Sequence, residues 1–225
     1  VGDAGDASEP KPPAFLPSTI PHIYLDKAYL LKWKPVQTWV AIQTTRTSTP
    51  RSGSFQEALA STAAAKARYT KEDVYLRGSQ LLATGYDQVV TAVRAFVEVG
   101  RFTKDDSLEM AIKLKHEFAH LVHVQICVFA QEPLSPTEYK VENLTALEHA
   151  LGLYHHEVEI IGTTPCVEGT SVESTKFAAW RNIDWAVQTA QSWKNRLDFH
   201  MEHNHEIGQH LLTLQYVVMA LKDYR

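Results

Sequence analysis

The sequence predicts one mainly helical α+β domain, residues 22–225, behind a flexible Pro-rich arm, residues 1–21. Three observations carry that reading. Long stretches repeat apolar residues at helical spacing. One segment alternates clearly in the manner of a strand. The opening stretch, VGDAGDASEPKPPAFLPSTIP, is rich in Pro, Gly, Asp and Ser and has too little to bury to hold a helix.

In chain order, LLKWKPVQTWVAIQTTRTS places Val36, Thr38, Val40 and Ile42 on one alternating face and reads as a strand, closed by Thr49-Pro50 and Gly53. Ser54 can cap the Ala-rich helix FQEALASTAAAKARY. A second, short strand is expected near VYLRGSQLL. YDQVVTAVRAFVEV repeats apolar residues at helical spacing and stops at Gly100. Asp105, Asp106 or Ser107 can cap the next helix, whose stripe Leu108, Ile112, Ala119, Val122 and Ile126 runs on until Pro133 and Pro136. Further helices are expected from Ser135 or Thr137 through HALGLYHHEV, through Trp180 and Trp185, and from about Thr189 to Leu221.

Apolar residues make up 44% of the 225 residues, enough for a real core. The formal net charge is −4, and the 22 Lys and Arg are scattered. No basic face points to nucleic acid. No apolar run approaches the ~18 residues of a membrane span, and no basic-then-apolar leader is visible. Cys127 and Cys166 belong to no CxxC pair and leave a single disulfide open. Cys127 reads as a buried small hydrophobe, and Cys166 beside Pro165 as a loop thiol. Asn143-Leu144-Thr145 fits the glycosylation triplet.

The chemistry is expected at HEFAH, residues 116–120. On a helix, His116 and His120 lie one turn apart on the same face and could both reach one Zn²⁺. That ion takes three protein ligands plus a water when catalytic. Glu117 would stand beside it as the base for zinc-bound water. HExxH should arise by chance about 0.04 times in a chain of this composition.

LKHEFAHLVH resembles the active-site helix of the zincin-type metallopeptidases. The resemblance covers about 60 residues, from Leu108 to roughly Glu173. It implies a zinc-dependent peptidase acting on a peptide or protein substrate, with His116 and His120 as ligands and Glu117 as general base. In the gluzincin branch a later Glu is the third ligand. PCVEGTSVES is similar to the P-x-x-E-G-x-x-x-E pattern and nominates Glu168. VENLTALEH resembles the E-N-x-x-A variant and nominates Glu142 as the alternative.

The same residues admit a rival reading. Glu117-Phe-Ala-His120 and Glu202-His-Asn-His205 are both ExxH motifs. With Glu98 and Glu157 they could hold two Fe ions in a ferritin-like four-helix bundle. ExxH occurs about once by chance here. A third possibility is a catalytically inactive helical binding module. The late cluster His200, His203, His205 and His210 reads either as a solvated face or as a source of an oxyanion-stabilising His.

Overall fold

A computed structural model describes residues 18–30, 55–134, 140–168, 172–201 and 207–223. The segment expected to form a strand at 36–42 lies outside the described residues. So do most of the arm, His203 and the side chain of Cys166. The arm's last residues are not irregular: Ser18 opens a strand.

The architecture is α/β, which corrects the mainly helical expectation. Five strands lie in one parallel sheet in the order β1-β2-β3-β4-β5. They are β1 (Ser18–Tyr24), β2 (Val90–Glu98), β3 (His123–Ala130), β4 (Ile160–Thr163) and β5 (Arg196–Phe199). Helices return the chain between them: α1 (Phe55–Lys66) and α2 (Lys71–Asp87), then α3 (Asp106–Glu117), α4 (Lys140–Tyr154), α5 (Val172–Trp193) and, after β5, α6 (Ile207–Asp223). A strand order identical to chain order, with a helix in each crossover, is the repeat of a (β/α) barrel.

The reason for the misreading is physical. A parallel strand buried on both faces is a continuous apolar run and shows no polar alternation. VTAVRAFVE and HVQICVFA therefore look helical in sequence, yet they pair residue for residue from Ala92↔His123 to Glu98↔Phe129. The stretch near VYLRGSQLL is part of α2. The single helix expected over 189–221 is the end of α5, then β5, then α6.

Alternate residues of each strand serve two cores. Val93, Ala95, Val97, Val124, Ile126, Val128 and Ile161 face outward and pack on Leu108, Leu114, Leu147, Leu151 and Ala186 of the helices. Phe96, Cys127, Phe129 and Ile160 fill the other face, with Tyr24 against them. Gly162 is required on that inner face. A Cβ there would lie 2.6 Å from Cys127 Sγ and 3.0 Å from a Phe129 ring carbon. Ile183 and Val187 of α5 carry Val217 and Ala220 of α6. Among the described residues no helix is long and apolar enough to cross a membrane.

The glycosylation triplet is not a sugar site. Asn143 is 1% exposed. Its Oδ1 accepts from Arg101 N and its Nδ2 donates to the Pro133 carbonyl.

Candidate functional site: a cleft at the carboxyl ends of the strands

The sheet curls far enough that side chains at the ends of its two edge strands touch, although β1 and β5 do not pair. Five flat strands ~4.8 Å apart would put β1 and β5 about 19 Å from each other. Instead the Tyr24 hydroxyl, at the end of β1, lies 2.9 Å from Nδ1 of His200, the residue after β5. The His22 and His200 rings stack with centroids 4.6 Å apart. His22 also stacks on Phe96 at 4.2 Å, and Phe129 lies 4.3 Å from His200.

Above this aromatic floor opens a cavity of about 440 Å³, within the range of small-molecule sites. Its walls come from the ends of several strands. His22 and Tyr24 end β1; Phe129 and Gln131 end β3; Thr164 and Val167 follow β4; Asp198, Phe199, His200 and Met201 close β5. The pairs two apart (22 and 24, 129 and 131, 198 and 200) follow from strand alternation, which aims every second side chain inward.

The site's protonation pattern follows from its burial. Desolvation, with Asp26 and Glu98 nearby, pushes the Tyr24 phenol up, so it stays protonated. Desolvation, then the neighbouring His22, pushes His200 down to about 4 against the pull of Asp198. A neutral His200 accepts the Tyr24 hydroxyl at Nδ1 and carries its proton on Nε2, 3.9 Å from Asp198 Oδ1. Arg94 reaches across the inner face and pairs with the other Asp198 oxygen at 2.9 Å.

Beneath the β1 and β2 ends lies a charged cluster. Glu98 is 1% exposed. It pairs with Lys66 at 2.5 Å and Lys27 at 3.1 Å. Burial would raise its pKa, but the two ammonium groups outweigh that and hold it below the ordinary range. Asp26 is wholly buried and raised to about 6 by desolvation, against the pull of Lys27.

The residues expected from the sequence lie elsewhere. Helix α3 ends at Glu117, and Phe118 is its C-cap. His120 therefore falls in a turn, not one helical turn beyond His116. His116 Nε2 bonds Glu157 at 3.0 Å, and Glu117 accepts from the Tyr75 hydroxyl at 2.7 Å. This junction leads into the amino end of β3, whereas the cavity opens at the carboxyl ends. Glu168 Oε1 accepts from Leu134 N at 2.7 Å and Asn182 Nδ2 at 2.5 Å, tying α5 to the loop after β3. Glu142 is exposed on the first turn of α4. Among the described residues no group of three His, Cys, Asp or Glu side chains is placed to hold a metal.

The rival di-iron reading fails on the same geometry. Glu98 is on a strand and engaged by two lysines, and Glu202 and His205 lie outside the described residues. The helical module fails because the core is a sheet.

These features define a class: a parallel (β/α) sheet whose strand ends enclose a ligand-sized aromatic cleft. No family model matches the chain, and no curated protein does. Solved structures do. The chain superposes on the 5-methylcytosine deaminase of Klebsiella pneumoniae liganded with 5-fluorocytosine. That match has a TM-score of 0.73 and 20% identity, covering 92% of this chain and 44% of the deaminase. The same deaminase liganded with phosphonocytosine matches equally. The N-isopropylammelide isopropylaminohydrolase of Burkholderia multivorans matches with a TM-score of 0.62 and 15% identity, over 92% of this chain and 45% of that one. The chain thus spans under half the length of these structures. The likeness establishes the fold, which is not that of a zincin; the matched structures are a deaminase and an aminohydrolase, not peptidases.

Proposed function

We propose that this chain forms the ligand-binding part of a (β/α)-barrel hydrolase. Its substrates are small planar nitrogen heterocycles bearing an exocyclic amine, not peptides. The observation that carries the reading is the cleft itself: a ring-sized cavity at the strand carboxyl ends, floored by stacked aromatic rings and edged by Gln131, Thr164 and Asp198. Stacked rings favour a flat ligand, and sparse polar groups at the rim orient it. The deaminase and the aminohydrolase that share the fold support the substrate class.

Hydrolytic removal of an amine adds water to a ring carbon and expels ammonia. Asp198 is the one carboxylate among the described cavity residues. It is positioned to take the proton of an attacking water and return it to the leaving amine, with Arg94 holding its other oxygen.

A divalent metal is the cofactor class that deaminases of this fold typically carry. The described residues do not fit one as they stand. The His22 and His200 planes are within 20° of parallel at 4.6 Å, so their in-plane lone pairs lie in separate, near-parallel planes, whereas Zn²⁺ needs nitrogens converging at ~2.0–2.1 Å. Tyr24 already occupies His200 Nδ1. No step is assigned to a metal.

The test is calorimetric titration with cytosine, 5-fluorocytosine and ammelide, with ammonia release followed in parallel. Saturable binding to one of them, weakened at least fivefold by Gln131→Ala, supports the reading. Absence of binding to all three contradicts it.

A further inference from the structure

We infer that Lys27 is a positioning residue that sets the hydrogen-bonding polarity of the cavity, and that Gln131 and Thr164 form a donor edge for an acceptor atom on the ligand. This rests on the heterocycle reading and adds to it the chemistry of the edge that is recognised.

Lys27 lies just beyond β1. Its ammonium donates to Gln131 Oε1, pairs with buried Glu98 at 3.1 Å and sits 4.3 Å above the Tyr24 ring. An ammonium has three donors and no acceptor. The Gln131 amide must therefore turn its oxygen to Lys27, which leaves its NH₂ for the cavity that Gln131 lines. Glu98, held in turn by Lys66, keeps the Lys27 head in place.

Thr164 supplies the second, independent observation. It is 5% exposed and lines the same cavity. Among the described residues its hydroxyl has no hydrogen-bond partner. The pairing Ala130↔Thr163 sets Gln131 and Thr164 side by side on neighbouring strands. A buried hydroxyl without a partner is costly unless a ligand meets it. The Gln131 NH₂ can only donate, and the Thr164 hydroxyl can donate beside it. Together they match an oxo group or an unprotonated ring nitrogen, and it is the Gln131 NH₂ that rejects an amino group.

The test compares two probes, 5-fluorocytosine and 2,4-diamino-5-fluoropyrimidine, in which an amine replaces the oxo group. The wild-type chain should prefer the oxo compound by about tenfold or more, as expected where a site's polar groups would otherwise be left unpaired. Lys27→Met frees the amide to turn over and should remove most of that preference. Gln131→Glu keeps the Lys27 contact but removes the donors, and should abolish it. Equal preference in the wild type and Lys27→Met overturns the inference. A ligand-free readout separates it from the heterocycle reading. The Gln131 side-chain NH₂ signals should shift and exchange faster in Lys27→Met. If neither probe binds, the heterocycle reading falls, and unchanged NH₂ signals in Lys27→Met overturn the role of Lys27.

Discussion

Tyr24 closes β1 and His200 follows β5, on opposite edges of the sheet, yet the phenol and the imidazole share a 2.9 Å hydrogen bond. The bond makes the protonation state of His200 a reporter of the curled sheet. His200 should stay neutral until about pH 4, below the ordinary 6.5, because burial and His22 oppose its charge. A depressed folded-state value means that the stability it lends is present above about 6.5 and is lost as pH falls through about 4. An NMR titration of the His200 ring should show the low midpoint. A midpoint near 6.5 would mean that the His200 ring is solvated and not held against His22 and Tyr24.

Asp26 should make stability fall as pH rises. Its folded-state pKa is raised to about 6 from 3.8, chiefly by desolvation. The stability it contributes is fully present below about 3.8 and is lost as pH rises through about 6. Asp26→Asn lacks that loss. The melting difference between variant and wild type should therefore move in the variant's favour between pH 4 and 7, by on the order of 2–3 kcal/mol. A difference that does not change with pH would show that the Asp26 carboxyl is not desolvated.

Gly162→Ala tests the packing of the inner face. The added methyl meets Cys127 Sγ at 2.6 Å and Phe129 at 3.0 Å. Overpacking of this kind costs about 1–3 kcal/mol, and pressure on Phe129 should also weaken ligand binding. Denaturant unfolding with C127A as the relieving second change checks it: C127A/G162A should recover much of the loss. No loss in G162A would mean the strands are not this close.

Glu168 and Glu117 should separate structure from chemistry. Glu168→Ala strips the acceptor from Leu134 N and Asn182 and should cost about 3 kcal/mol, the order for a buried charged hydrogen bond. Glu117→Gln sits at the opposite end of the sheet and should leave any heterocycle turnover unchanged. Loss of turnover in Glu117→Gln with unchanged melting would return the chemistry to the HEFAH segment.

Much of the helical frame was legible in the sequence and the sheet was not. The Ala-rich α1 and the helix at 140–154 declare themselves through length and helix-forming composition, and the helix at 172–193 through length and amphipathic spacing. Strands β2 and β3 do not, because both faces are largely buried and apolar residues fill most positions. The HExxH pattern misled for the same reason. It straddles the end of α3 and the turn into β3, and the apolar HLVHVQICVFA made that junction look like one unbroken helix. A signal for the strand-end cleft is present in the sequence. His22-x-Tyr24, Phe129-x-Gln131 and Asp198-x-His200 each put ring or polar side chains two apart at the end of an apolar run. That pattern marks the inward face at a strand's carboxyl end. Linking three such pairs into one site needs the strand order, which only the coordinates supply.

The central claim is that the cavity above Phe129 and His200 takes a small flat heterocycle. Titration of the wild-type chain and of Gln131→Ala with 5-fluorocytosine tests it most directly. The prediction is one saturable site in the wild type and at least fivefold weaker binding in the variant, with unchanged melting of the free protein. Binding that is absent, or indifferent to Gln131, would contradict it.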